Sequence, residues 1–528
     1  MNRSNYGVLA AFLLLTIALV GCDSGGDEPP TVIPSDLPPL EVATEDIATP
    51  TATITPTETP LPTDTPIPPT LAVQSPTPPP LPTSTPLPSV AYLNDQWTQI
   101  DVPSALAGGL DTNWLAFINF NDRTRVTTGD ATPEPESLTE ALYITRPDNR
   151  QRVKVADIPA SAEDDVFWSP TGMHVAYFVD ADVDENGEPI GGLYMLDFEV
   201  GLRYRLFDIE NLSPVGIPNH APIWSPDGRR MAIVLPDGHD TDVFIMNADG
   251  SNFRNITNHG SYDMWPAFSP DGLWMAFVSD RAICPTWTPG EPETCDRPGV
   301  LPPTQGNLFI MNMNTGEVRQ VTDVLLNGPP RWITPTKLEF STGGGSALAE
   351  TSDLWLIDIE AGIAVQVDDA QSFSISQTWS TDAARVIYQR TGTSSAIVLA
   401  DNVGNEIAVT TEYTFPRFGL AADWSPDGEF LAIGGRNGQC PYGIIVTDPN
   451  FEIVTAPARN LLACDPTYAP EGRYLAFSAI RPSNVTDGRL DIYLANVNGL
   501  GASNITVNLQ GQMELLGWVG PTPSEETP

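Results

Sequence analysis

Three oxygen-bearing side chains at alternate positions could bind a hard cation. Asp182, Asp184 and Asn186 are followed by Gly187. This spacing is typical of the first half of a calcium loop, where oxygen ligands surround Ca²⁺ and a glycine makes the sharp turn. The twelfth position should be a bidentate glutamate and is Leu193. A calcium site and an acidic, solvated hairpin therefore both stay open, and we expect no other cofactor.

Sequence motifs of catalysis are missing. The chain has no Gly-x-Ser-x-Gly elbow, no His-Glu-x-x-His and no phosphate-binding Gly-Lys-Ser/Thr. Its four histidines lie in a repeated strand or near turns, and we interpret them as structural or surface residues: His174, His220, His239 and His259. We therefore predict that the protein is not an enzyme.

The elements that would position any site come from an internal repeat. An aromatic residue followed by Ser-Pro-Asp-Gly returns with a spacing of about 50 residues, which indicates a repeat architecture. The anchor aromatics are Trp168, Trp224, Phe268, Trp332, Trp379, Trp424, Tyr468 and Trp518. Ser-Pro-Asp-Gly is a turn sequence, since proline fixes φ, aspartate bonds the turn backbone and glycine takes positive φ. Apolar β-rich runs follow, and four antiparallel strands per repeat are typical of a propeller blade.

These repeats resemble TolB-type, WD-related propeller repeats over about residues 113 to 520, with the best copies at 224–228 and 424–428. The resemblance implies an all-β propeller, of the kind also found as the non-catalytic part of prolyl-oligopeptidase-like peptidases. We predict about eight four-stranded blades, with seven as the alternative if one degenerate copy is not a blade. The segment around Trp518 should supply the first strand of the blade that contains Trp114.

Long insertions fall at the second turn of several blades, in residues 121–140, 180–191, 281–305, 342–352 and 480–489. Variable loops on a rigid scaffold are where binding usually resides, so we expect the ligand site on this face and at the channel mouth. Neutral loop growth is the alternative. Trp287, inside one insertion, is a candidate recognition residue, although it could equally pack its loop.

The positions of four cysteines agree with the predicted arrangement of turns in the blades. Cys284 and Cys295 share one insertion, whereas Cys440 and Cys464 lie in a second turn and the next blade-to-blade link. Since both of these positions belong to one face, we predict the disulfides Cys284–Cys295 and Cys440–Cys464. Zinc is the competing use, but the chain has no Cys-x-x-Cys.

The N-terminal region predicts a signal peptide with a lipidation site, followed by a tether. Arg3 and an apolar run from Val8 to Val20 are typical of a signal peptide, 1–21. The ending Leu19-Val20-Gly21-Cys22 resembles a bacterial lipoprotein box, which implies lipidation of Cys22. Residues 22–94 are rich in proline and threonine and should form a disordered tether. The propeller is predicted over 95–520, and 521–528 form a disordered tail.

Charge limits the choice of partner. The chain has 25 Lys+Arg against 67 Asp+Glu, a formal net charge of −42, so we expect no nucleic acid, because phosphate backbones need cationic side chains. Membrane contact is expected only through Cys22. We predict a monomeric, lipid-anchored protein on the extracytoplasmic side of the cell membrane that binds an envelope or surface protein, or a glycan. A carbohydrate-active or other enzyme with carboxylates at the channel mouth is the alternative, and a purely structural envelope protein is a third.

Overall fold

A computed structural model of the chain describes residues 97–120, 139–159, 166–179, 191–208, 221–237, 240–282, 305–342, 353–368, 376–390, 395–456, 460–481 and 489–521, together with residue 187 and without positions 149, 327, 417, 418, 437 and 510. All of them belong to one unit of the chain, Pro80–Pro528. The predicted tether and signal peptide lie outside the described residues.

The repeated turn has the same hydrogen bonds in successive copies. In the copy at 224–228, Ser225 Oγ donates to Asp227 Oδ1 at 2.5 Å and accepts from the Arg230 amide at 2.9 Å, while Gly228 has a φ of 65°. The copy after Trp379 lacks the glycine, yet Ala383 takes a φ of 54° in the same turn. The polar side chains therefore fix this turn even where the residue type disfavours it.

Apolar, β-prone runs between these turns form the strands. In chain order they are β1 (Trp97–Gln99), β2 (Trp114–Phe120), β3 (Thr139–Thr145), β4 (Arg152–Pro159), β5 (Val166–Trp168), β6 (His174–Val179), β7 (Gly192–Asp197), β8 (Leu202–Asp208), β9 (Ile223–Trp224), β10 (Arg230–Asp237), β11 (Asp240–Asn247), β12 (Arg254–Asn255), β13 (Asp263–Phe268), β14 (Trp274–Ser279), β15 (Gly306–Asn312), β16 (Val318–Leu326), β17 (Arg331–Thr334), β18 (Lys337–Thr342), β19 (Asp353–Asp358), β20 (Ile363–Asp368), β21 (Thr378–Trp379), β22 (Arg385–Arg390), β23 (Ala396–Asp401), β24 (Glu406–Thr410), β25 (Leu420–Trp424), β26 (Leu431–Gly435), β27 (Ile445–Thr447), β28 (Ile453–Thr455), β29 (Leu462–Tyr468), β30 (Tyr474–Ile480), β31 (Asp491–Asn496), β32 (Ser503–Asn504) and β33 (Gln512–Val519). No helix occurs among the described residues, and none there could span a membrane. The predicted all-β class is confirmed.

These strands group in fours along the chain. Within the described residues, eight antiparallel units can be counted: β33 with β2–β4 as unit one, then β5–β8, β9–β12, β13–β16, β17–β20, β21–β24, β25–β28 and β29–β32 as units two to eight. Unit one is completed by the C-terminal strand, because β33 pairs antiparallel with β2 and places Trp518 opposite Leu115. The predicted closure of the repeat by the Trp518 segment is therefore confirmed.

The apolar core lies between neighbouring units. One cluster joins Trp114 and Ile118 of unit one to Val175 and Tyr177 of unit two. Another joins Ala232 of unit three to residues of unit four, and the same arrangement continues along the chain. Each sheet therefore buries both of its faces against its neighbours, which explains why the second strand of a unit is an almost continuous apolar run.

The repeat pattern does not predict the segment that precedes unit one. β1 pairs antiparallel with β8 and forms a fifth, outermost strand of unit two. Leu106, further along this segment, is fully buried in the cluster between units one and two. The segment therefore covers a sheet edge that would otherwise present unpaired backbone groups.

Candidate binding site

A cavity of about 520 Å³ lies where the first strands of several units converge. Its apolar wall consists of Trp224 from unit three, Trp265 and Phe268 from unit four, and Phe340 from unit five. Arg331, Glu339, Gln377 and Arg436 add polar groups from units five to seven. Aromatic walls with a few convergent polar groups are typical of a binding site.

One cross-strand pair in each unit has a fixed place in the repeat. The residue before the anchor aromatic lies opposite one residue near the start of the unit's second strand. Examples are Ile223↔Ala232 and Ala267↔Ala276. That second-strand residue is alanine in six of the eight units, Ala116, Ala176, Ala232, Ala276, Ala432 and Ala476. A small residue suits this position because the neighbouring sheet packs closely against it.

Unit five replaces this apolar pair with an ion pair. Arg331 lies opposite Glu339, and Arg331 Nε is 2.5 Å from Glu339 Oε1. Burial raises the pKa of Glu339, and the Arg331 guanidinium opposes this rise. The Glu339 side chain is almost fully buried, whereas that of Arg331 is 51% exposed. Arg331 Nη2 also donates to the carbonyl oxygen of Gln377 in unit six at 3.3 Å. The guanidinium is thus held at the cavity wall.

A second guanidinium lines the cavity from unit seven. Arg436 directly follows β26, and its Nε donates to the Leu420 carbonyl oxygen at 3.4 Å. Burial lowers the pKa of Arg436; Asp465 opposes this effect and Arg331 adds to it. Two cationic side chains therefore influence each other across one cavity.

A disulfide fixes the backbone beside Arg436. Cys440 and Cys464 are joined, with their Cα atoms 5.2 Å apart. Gly435 also pairs with Cys464, and the Ala463 amide donates to the Tyr442 carbonyl oxygen at 2.6 Å. Asp465 follows with a φ of 49° at an irregularity in β29. The second turn of unit seven is thereby attached to the first strand of unit eight.

Asp423 has the same place in unit seven as Arg331 in unit five. Its carboxylate accepts hydrogen bonds from the amides of Trp424 and Tyr468, at 3.0 and 2.7 Å. Burial raises the pKa of Asp423 to about 6 against these bonds. Both oxygens therefore have a backbone partner, and the bond from Tyr468 to Oδ2 joins units seven and eight.

A polar network lies near the starts of β11 and β13. Asp242 accepts from Asn255 Nδ2 at 2.7 Å, from Thr257 Oγ1 at 2.9 Å and from the His259 amide at 3.1 Å. Asp263 is fully buried and lies 2.7 Å from Arg281 Nη2. Thr241 Oγ1 donates to the Asp263 carbonyl oxygen at 3.2 Å, which joins units three and four.

Most of the predicted site residues lie outside the described part of the chain: Cys22, Asp182, Asp184, Asn186, Cys284, Trp287 and Cys295. Their lipidation, calcium, disulfide and recognition roles stay predictions. Within the residues that are described, no group of three or more histidine, cysteine, aspartate or glutamate side chains could hold a metal ion.

The polar residues of the cavity were not predicted from the sequence. The signal was present in the repeat alignment, because Glu339 stands where six units have alanine and Arg331 stands where most units have an apolar or small residue. Arg436 carries no comparable signal, since it follows β26 in a turn whose sequence is not repeated.

Comparison with known proteins agrees with the repeat. Residues 165–286 match the family model of the TolB beta propeller domain, PD40. A protein TolB homolog of Chlorobium luteolum is 32% identical over 98 residues, which are 19% of this chain and 17% of that protein. The uncharacterized peptidase YuxL of Bacillus subtilis is 24% identical over 22% of each chain. Each match thus spans less than a quarter of the relative's length.

A crystal structure of TolB from Acinetobacter baumannii aligns with a TM-score of 0.32 and 18% identity, over 57% of this chain and 63% of that one. The predicted TolB-type propeller repeats are confirmed where residues 165–286 match PD40, and the four-stranded units continue along the described residues.

Proposed function

We propose that this protein is an extracytoplasmic lipoprotein, anchored through Cys22, whose propeller binds an envelope or surface protein without catalysing a reaction. A glycan is the other partner class to be tested. The proposal extends to this chain the role of a Tol-type scaffold, with the cavity of units three to seven as the binding site.

The observation that carries the proposal is the half-exposed Arg331 in one cavity with the partly exposed aromatic side chains of Trp224 and Phe268. Arginine and large aromatic residues are enriched where partners bind, because they combine a large apolar area with directional hydrogen bonds. A partner segment that enters the cavity would bury both kinds of surface.

Photo-crosslinking tests the site. A p-benzoylphenylalanine at Gly328 would start at the cavity lining, and a Cβ atom added there meets no atom within 4 Å. We expect a covalent adduct with a defined envelope protein in intact cells from position 328. The exposed Glu317, in the turn between β15 and β16, is the matched control and should give none. Absence of an adduct at 328, or the same adducts at both positions, would contradict the proposal.

The anchor is tested separately. Replacing Cys22 with alanine should move the protein from the membrane pellet to the soluble extracytoplasmic fraction and abolish incorporation of labelled palmitate. Unchanged fractionation would remove the lipoprotein part of the proposal and leave the binding part intact.

An enzyme is the second candidate, because two carboxyl groups near Arg331, those of Glu339 and Asp423, have raised pKa values. A raised pKa is typical of a general acid. Glu339, however, is occupied by its ion pair and Asp423 by two backbone amides. Turnover of peptide or polysaccharide substrates that is lost in Asp423→Asn and Glu339→Gln would favour this candidate over the binding scaffold.

A further inference from the structure

Stability does not explain why unit five has an ion pair at this position. An ion pair with one buried charge contributes little to stability compared with a well-packed apolar pair, because the Glu339 carboxylate loses its hydration on burial. Six other units use alanine at the position of Glu339, so the fold itself does not need a carboxylate there. The pair instead fixes where the guanidinium of Arg331 lies.

Glu339 determines which donors of Arg331 remain for a ligand. It binds the Nε edge of the guanidinium, and Gln377 takes one Nη2 hydrogen. An arginine has five N–H donors, so most of the Nη edge is left over at the cavity. A fixed guanidinium with a free edge is the geometry that binds a carboxylate through paired hydrogen bonds.

The surroundings favour a ligand that is anionic at one end and apolar at the other. Arg436 adds a second positive charge at the same cavity; burial lowers its pKa, Asp465 opposes this effect, and the charge of Arg331 adds to it. A bound anion would offset this effect of the Arg331 charge. Trp224 and Phe268, both partly exposed, line the same cavity and suit an aromatic or aliphatic side chain.

We infer that Arg331, assisted by Arg436, is the carboxylate-binding residue of this cavity, and that the cavity takes a peptide segment with a carboxylate next to an apolar side chain. The inference rests on the proposed function and gives the chemistry of the partner segment. Glu339 is a positioning residue, since it acts through Arg331. The carboxylate could belong to a peptide C-terminus or to an acidic side chain.

Three short peptides separate these sources. Acetyl-Gln-Phe-amide is neutral, acetyl-Glu-Phe-amide carries a side-chain carboxylate, and acetyl-Gln-Phe with a free C-terminus carries a terminal one. Binding to the full chain is followed by ligand-observed NMR titration. We expect at least one charged peptide to bind tenfold or more tightly than the neutral peptide, and its advantage to shrink as the salt concentration rises.

Variants of the ion pair, with a control elsewhere, test whether Arg331 causes the preference for a carboxylate. Arg331→Gln combined with Glu339→Gln removes both charges, keeps the shape of the Glu339 side chain and leaves a neutral amide donor at position 331, and it should abolish the preference for the charged peptide. Arg331→Lys should retain part of it, because a lysine keeps the charge without the forked donors. Arg254→Gln, on an exposed strand away from the cavity, should bind all peptides like the natural protein.

The outcomes distinguish failure of the carboxylate inference from failure of the proposed function. Equal binding of charged and neutral peptides, together with a cross-link from position 328, would overturn the carboxylate inference and keep the proposed function. Binding of none of the peptides would also overturn the inference. Failure of the cross-link as well would remove the cavity as a partner site altogether.

Discussion

The indole Nε1 of Trp518 donates a hydrogen bond to the carbonyl oxygen of Thr467 at 3.4 Å and so joins unit one to unit eight. Thr467 directly precedes the anchor aromatic Tyr468. The same bond joins other neighbouring units, in which the anchor indole reaches the residue before the previous anchor: Trp224 to Phe167, Trp332 to Ala267 and Trp424 to Thr378. The contact between the two ends of the repeat is therefore made like any internal one.

Replacing Trp518 with alanine should destabilise the propeller by about 2–4 kcal/mol, because it removes a large packed side chain and the bond that closes the repeat. Thermal unfolding followed by circular dichroism would measure the loss. Trp97, 56% exposed on β1, is the matched control, and its replacement by alanine should change stability by no more than about 0.5 kcal/mol. Similar effects at both tryptophans would argue against closure through Trp518.

Two glycines of the repeated turn should differ in their tolerance of alanine. Gly428 has a φ of 70° and no neighbour near a new Cβ, so Gly428→Ala should cost about 1 kcal/mol from backbone strain alone. At Gly228 a Cβ would also meet Thr171 Cγ2 at 2.7 Å. We expect a clearly lower melting temperature for Gly228→Ala than for Gly428→Ala, with partial recovery when Thr171→Ser removes that methyl group.

The repeat predicted the fold because its turn chemistry is local. Ser225, Asp227 and Gly228 fix their turn through bonds within six residues, so the sequence alone shows where each unit begins. The pairing of β1 with β8 depends instead on residues about 100 positions apart, such as Trp97 and Tyr204, and no periodic pattern marks it. The cavity could not be predicted from the sequence for a related reason. Arg331 and Arg436 line the same cavity only because units five to seven pack side by side.

The Cys440–Cys464 disulfide should contribute to both stability and ligand binding. It closes a loop with a sequence separation of 24, for which a stabilisation of about 2–4 kcal/mol is typical. Cys440→Ser with Cys464→Ser should lower the melting temperature accordingly. It should also weaken binding of the charged peptides, because Arg436 lies in the turn that the disulfide holds.

Cys284→Ser with Cys295→Ser is the comparison variant, and peptide mapping under non-reducing conditions would test that predicted pair. If the Cys440/Cys464 variant bound the charged peptides with unchanged affinity, the disulfide would have no role in positioning Arg436.

Stability should fall with rising pH through the titration of Asp242. Burial raises its pKa to about 6, the bond from Asn255 opposes this, and the charge of Asp263 adds to it. The folded protein therefore keeps a proton that the unfolded chain releases near its ordinary pKa of 3.8. This contribution is complete below about pH 4 and is lost as the pH rises through about 6. Asp242→Asn should remove that slope, so its stability relative to the natural protein should improve between pH 4 and pH 7, measured by urea unfolding.

Asp382 provides the control of opposite sign. Burial would raise its pKa, but the bonds from Ser380 Oγ and the Ala384 amide outweigh burial and lower it. The stability that Asp382 contributes is present above its unfolded pKa and is lost only in stronger acid. The difference between Asp382→Asn and the natural protein should therefore stay constant from pH 5 to pH 8. A constant difference for Asp242→Asn over the same range would contradict the assignment of its pKa.

The ion pair of unit five can be exchanged for the pair that unit three uses. Arg331→Ile alone would leave the Glu339 carboxyl group buried without its partner and should cost about 1–3 kcal/mol, less than for a fully buried pair because Arg331 is half-exposed. Arg331→Ile with Glu339→Ala recreates the pair Ile223↔Ala232 and should be as stable as the natural protein or more so. Chemical denaturation of both variants measures this, while titration with the charged peptides should show that the stable double variant no longer prefers a carboxylate. A double variant that unfolds as readily as the single one would mean that the pair serves the fold, and the link between its cost in stability and ligand binding would be lost.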